Sequence, residues 1–303
     1  MSPAPAASIL CGRAGRKAHV VGDRQGDAER RPRRASNDRA ASNNSGPRRF
    51  HDPKSRDQRS GGPRASGSSR PRPAQAGQDG DPKHDGPRLP SDVEAKELAP
   101  DVRRELITLD KTTADFVARH LVMAGKLLDE DPETALAHAR AARNRASRIA
   151  VVREAVGIAA YHSGDWAQAL AELRAARRMG SKSALLPMIA DCERGVGRPE
   201  RALELARGDE AVALTGEDAD ELRIVTAGAR SDLGQFEQAL AILSTPQLDP
   251  TAVGSTAARL FYVYADTLLA LGRGEEALQW FVHAEQADIE GITDAEDRIA
   301  ELS

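Results

Sequence analysis

The chain has 303 residues, 40% of them hydrophobic and 29% charged, with 3% aromatic side chains and two cysteines. Two cysteines leave no disulfide framework and fit a reducing compartment, and no apolar run reaches the roughly 18–20 residues a bilayer-spanning helix needs. The formal charge of −3 is a cancellation: residues 1–90 hold 19 Lys/Arg and 9 Asp/Glu, whereas residues 91–303 hold 24 and 37.

In chain order, the opening MSPAPAASILCGRAGRK lacks the basic n-region and apolar length of a secretory leader, so a cytoplasmic location is expected. Arginine far outnumbers lysine and alanine is abundant, a bias that fits a GC-rich bacterial genome. Residues 1–90 are built mostly from Arg, Ser, Gly, Pro, Asp and Asn, and Phe50 is their one Phe, Tyr or Trp. So few apolar side chains cannot offset about 1–2 kcal/mol per residue of backbone ordering entropy, and a disordered basic tail is expected. Its net charge of +10 suits nonspecific attraction to nucleic acid. The interspersed acids lower the charge density and favour a solubilising extension instead, and a lone aromatic offers no stacking platform.

A linker and N-terminal capping helix are expected over residues 91–112, around PDVRRELITL. A phrase then recurs: DPETALA at 131, GDWAQAL at 164, GRPERAL at 197, GQFEQAL at 234 and GRGEEAL at 272. Its marker alanines, Ala135, Ala169, Ala202, Ala239 and Ala277, are separated by 34, 33, 37 and 38 residues. That spacing predicts five helix–turn–helix units over residues 113–290. Gly164, Gly197, Gly234 and Gly272 stand where a helix ends in a left-handed residue. Asp131 and Asp165 stand as N-caps. Small residues mark the helix crossings: Gly157 with Ala169 and Ala176, Ala190 with Ala202, Ala227 with Ala239, and Ala265 with Ala277 and Ala284. Unit three has a clipped second helix before RGDEAVALTGED. Residues 291–303 read as a C-terminal capping helix, opened by a Thr293…Glu296 capping box with Ile299 and Leu302 turned inward.

YHSGDWAQALAELRAARRMG, and after it LFYVYADTLLALGRGEEALQWFVHAEQAD, resemble the tetratricopeptide repeat (TPR). The resemblance departs where Pro199 and Gly274 replace the turn aromatic. It implies an all-α, right-handed TPR-like helix-turn-helix solenoid whose first helices line a concave groove. Carried over position by position, that groove includes Glu154, Ile158, Tyr161, Asp191, Arg194, Tyr262 and Asp266. Each of the two tyrosines serves either as a partner anchor or as packing between repeats. The groove has no Lys/Asn cluster of the kind that grips a peptide carboxylate in chaperone-binding members of the family.

The chain offers little for catalysis. Its seven histidines form no HxxxH or HExxH pair and no cysteines lie close in sequence, so no metal or other cofactor is expected. No phosphate-binding glycine loop occurs, and Cys192 reads as a packed thiol. A non-catalytic scaffold holding a protein partner is therefore expected, with no membrane partner. The alternative is an RNA- or ribosome-associated factor anchored by the tail. A third expectation is self-association, the tail of one copy on the acidic units of another.

Overall fold

The computed structural model describes residues 86–303. The expected tail therefore falls, apart from residues 86–90, outside the described residues, as does Cys11. Every regular element among the described residues is helical. Two 3-10 turns, Ala95–Glu97 and Leu106–Thr108, accompany thirteen α-helices. These are α1 (Pro100–Glu105), α2 (Lys111–Leu127), α3 (Pro132–Ala146), α4 (Ala150–His162), α5 (Trp166–Arg178), α6 (Leu186–Gly195) and α7 (Pro199–Leu205). They continue as α8 (Asp209–Val212), α9 (Glu217–Asp232), α10 (Phe236–Leu243), α11 (Ser255–Ala270), α12 (Gly274–Ala287) and α13 (Ala295–Leu302).

Local chemistry sets most boundaries. Asp110, Asp131 and Asp165 each accept the N–H of the residue three positions on (Thr113, Thr134, Gln168), which satisfies an otherwise orphaned donor at the starts of α2, α3 and α5. Pro132 and Pro199 occupy first-turn positions where no N–H is needed. Helices α4, α6, α9 and α11 each end in a turn whose glycine has φ near +70°, at Gly164 (77°), Gly197 (76°), Gly234 (70°) and Gly272 (74°). A side chain there would meet nothing within 4 Å, so glycine is required by backbone conformation rather than by space.

Helices pack mainly on their chain neighbours. α2 pairs with α3, α4 with α5, α6 with α7, α9 with α10 and α11 with α12. Each second helix also rests on the first helix of the next pair, and α6, α9 and α11 touch in succession. The marker alanines Ala135, Ala169, Ala202, Ala239 and Ala277 are all at most 1% exposed. Burying a methyl instead of a longer side chain lets the helix backbones come close. The core is correspondingly divided into five clusters, one handing over to the next along the chain. Val102 and Leu106, at the N-terminal end, join Val117, Ala118 and Leu121 in one cluster. Ile299 and Leu302 pack against the last, which holds Phe281 and Ala284.

Two local expectations are corrected. Gly157 faces Leu173, since a methyl there would lie 2.6 Å from Leu173 Cγ and 3.1 Å from its backbone nitrogen. Leu173, rather than Ala169 or Ala176, is thus the partner of the glycine notch, and it shares its core cluster with Leu185, Ile189 and Cys192 of the following pair. The Thr293…Glu296 capping box does not form. α13 begins after Asp294, which makes no side-chain cap bond. Asp288 instead accepts from Ile292 N at 2.9 Å, Thr293 N at 2.7 Å and Thr293 Oγ1 at 2.7 Å, holding the turn before the helix.

Candidate interaction surface

The first helices present a chain of polar side chains that crosses from pair to pair. Tyr161 at the end of α4 donates its hydroxyl to Asp191 Oδ2 of α6 at 2.5 Å. Arg194, one turn along α6, donates to Asp191 Oδ1 at 2.9 Å and to both carboxylate oxygens of Asp232 on α9 at 2.8 and 3.1 Å. The guanidinium lies on Gly228, where a methyl would come within 2.5 Å of Cζ. Burial works against the charge of Arg194, but the carboxylates of Asp232 and Asp191 outweigh it and raise its pKa. Trp166 locks the near end of this row, with its ring 5.1 Å from that of Tyr161 and against the backbone of Gly195.

The row continues in separate steps. Arg259 of α11 forms a two-point ion pair with Glu221 of α9, both bonds 2.6 Å. Arg298 of α13 reaches Asp266 of α11 at 3.4 Å while its guanidinium sits 5.4 Å over the Phe281 ring. Burial pushes the Asp266 carboxyl up against the pull of Arg298. The Arg194–Asp232, Arg259–Glu221 and Arg298–Asp266 contacts join residues 32–38 positions apart, about one repeat period; the first two fasten one first helix to the next, and the third fastens α13 to the last of them.

Of the seven residues expected to line the groove, Tyr161, Asp191 and Arg194 come together in this row, and Asp266 stands apart beside Arg298. All four keep partial exposure. Glu154, Ile158 and Tyr262 are corrected: they are 2%, 0% and 4% exposed and offer almost no surface to a partner. Glu154 accepts from Ser181 Oγ at 2.7 Å and Ser183 Oγ at 2.6 Å, which ties the α5–α6 connection to α4. Burial raises its carboxyl, while the two hydroxyls oppose the rise. Ile158 lies inside the core around Leu173 and Ile189. Tyr262 packs edge-on against Phe281 at 5.2 Å, and burial followed by the neighbouring Asp294 pushes its phenol up.

A second feature has no counterpart among the expected site residues. α7 runs for 7 residues where α3 and α5 run for 15 and 13, and a cleft of about 530 Å³ opens beside it. Arg174 and Arg177 of α5 line this cleft together with Arg198, Arg201, Leu186 and Leu205. Each arginine has a carboxylate: Arg174 bonds the buried Glu193, Arg198 approaches it at 3.9 Å, Arg177 meets Glu210 at 3.3 Å and Arg201 meets Glu204 at 2.5 Å. The signal was the clipped second helix of unit three, which announces a missing turn but not the charges around the gap. On the opposite flank of α5, Glu172 is 5% exposed and held between Arg143 and Arg153.

Cys192 is fully buried and burial pushes its thiol well up, away from the reactive thiolate. No group of three or more His, Cys, Asp and Glu side chains gathers to hold a metal ion among the described residues. No helix among these residues is long and apolar enough to cross a membrane. Compared with protein-family models and with curated proteins, the chain matches none.

Proposed function

We propose that the helical pairs form a TPR-like helix-turn-helix solenoid that acts without catalysis, as a cytoplasmic scaffold holding a partner protein along its first helices. The observation that carries this reading is the recurrence of the same pair: a buried alanine at the crossing and packing on chain neighbours in five successive units, with a left-handed glycine turn in the last four. Stacks of this kind leave an extended face formed by equivalent helices. The part of that face best suited to a partner is the half-exposed row Tyr161–Asp191–Arg194–Asp232, a fixed set of donors and acceptors beside an aromatic ring.

The test is affinity capture with the full-length chain beside a Tyr161→Phe/Asp191→Asn variant whose helicity is checked by circular dichroism. Loss of a partner from the folded variant supports the reading. Retention of every partner by the variant, with loss only when residues 1–90 are removed, contradicts it.

A second reading is favoured by the charge split, with net +10 in residues 1–90 against −13 in the remainder. On it the protein is an RNA- or ribosome-associated factor anchored by its arginine-rich segment. Binding to RNA then weakens steeply with salt and disappears on deletion of residues 1–90.

A further inference from the structure

A buried histidine pair lies under the N-terminal approach to the helices, away from the first-helix row. His120 of α2 and His138 of α3 are each 2% exposed, and their Nδ1 atoms are 2.9 Å apart. A hydrogen bond between two imidazole nitrogens requires opposite protonation, one ring carrying Nδ1–H and the other presenting a lone pair. Phe116 covers His120 with ring centroids 4.3 Å apart. The backbone at Gly86 closes the edge of the site: a methyl there would lie 3.4 Å from His120 Cε1 and 2.4 Å from Ala141 Cβ. Arg119 fastens the chain that follows, donating from Nε to Val93 O at 2.8 Å and from Nη2 to Pro90 O at 3.2 Å. Residues 86–93 thus make a strap held down beside the pair.

We propose that His120 and His138 form a proton-operated latch for the strap of residues 86–93, closed while both rings are neutral and opened when both are protonated. The first proton goes to Nε2 of the donating ring and leaves the bond in place. The second must occupy the accepting Nδ1, and it replaces the bond with two facing cations.

Arg119 of α2, beside His120, favours opening. On α3, Arg145 lies over the Phe116 ring at 5.0 Å. The strap carries Arg88 and Asp92. On the adjoining 3-10 turn Glu94, Lys96 and Glu97 are engaged with one another and with Lys126. From α4, Arg153 and Glu154 are engaged with Glu172 and with Ser181 and Ser183. No carboxylate of the described residues pairs with either imidazole.

Burial first, then His138 and Arg119, pull His120 down to about 4, and burial lowers His138 as well. Because the closed state holds its protons less tightly than the open state, closure is complete above the ordinary histidine value of 6.5 and is lost as pH falls towards 4. Each proton taken up multiplies the open fraction by up to about tenfold per pH unit in that window. Opening frees the strap on the N-terminal side of the helices.

The experiment is an NMR titration of the histidines in the full-length chain, combined with amide-exchange protection factors at pH 7.5 and 5.0. Both buried imidazoles are expected to titrate below 6.5. Protection of Val93 and of the α2 and α3 amides around the pair is expected to fall tenfold or more relative to α12. Histidines titrating at the ordinary value, or strap protection unchanged relative to α12, overturns the latch. His138→Gln keeps an acceptor for His120 but removes one titrating ring, and is expected to blunt the pH dependence. An undiminished dependence in this variant also overturns the proposal. The wild-type measurement decides alone if the variant does not fold.

Discussion

Single side chains show how closely the helices are fitted. Gly157→Ala drives a methyl into Leu173, where the nearest atoms include immobile backbone, so urea denaturation is expected to show a loss of about 1–3 kcal/mol. Gly274→Ala is the contrasting case. Its methyl would meet nothing within 4 Å and the position already lies in the first turn of α12, so the variant is expected to be stabilised by about 0.4–1 kcal/mol through a less flexible unfolded chain. Arg194→Ala strips a shared partner from Asp191 and Asp232, both partly exposed, and is expected to cost about 1–2 kcal/mol in the same assay. The buried alanines and turn glycines were legible in the sequence because each follows from a constraint repeated at fixed spacing. The burial of Glu154 and Tyr262 was not. Which residue a helix turns outward depends on Ser181, Ser183 and Phe281, side chains on other helices that no local pattern records.

Helix ends are decided by short-range hydrogen bonds, and these separate what was readable from what was not. Asp165 caps α5 by accepting Gln168 N at 3.1 Å, and Asp165→Ala is expected to lower stability by about 1 kcal/mol. The helix-opening role of Asp131 and Asp165 could be read directly, since an N-cap needs only an acceptor three residues before a free N–H. The start of α13 could not, because its stabilising carboxylate sits five residues before Thr293, in the preceding turn. Burial pushes the Asp288 carboxyl up, but the N–H groups of Ile292 and Thr293 and the Thr293 hydroxyl outweigh it, leaving the pKa below the ordinary 3.8. Its folded-state pKa is depressed, so its contribution is complete above the ordinary value and is lost as pH falls through the lower folded one. An acid titration of Asp288→Asn unfolding should therefore lack the part of the wild-type loss that lies below about pH 4.

For the whole molecule, nearest-neighbour packing and a polarised charge distribution are the two governing properties. Residues 216–303 hold 5 Lys/Arg and 17 Asp/Glu, so the C-terminal units are the strongly acidic ones and residues 1–90 the basic ones. Self-association through those charges predicts sedimentation as a larger species at low salt that dissociates at high salt, whereas an unchanged monomer at both rules it out. The recurrent pairs were legible from the spacing of five short phrases. The cross-pair ties were not, since Arg194–Asp232 and Arg259–Glu221 join residues 38 apart that carry no sequence signature of their own. If each pair is stabilised chiefly by its neighbours, its folding does not require the far end of the chain.

Ending the chain at Pro250 removes α11, α12 and α13 and tests that independence most directly. The expected result is cooperative urea unfolding of the remainder, with undiminished helicity per remaining helical residue and a denaturant slope reduced in proportion to the surface removed. A shortened chain that loses its cooperative transition, or whose α2–α5 amides lose their exchange protection, would contradict packing by successive neighbours.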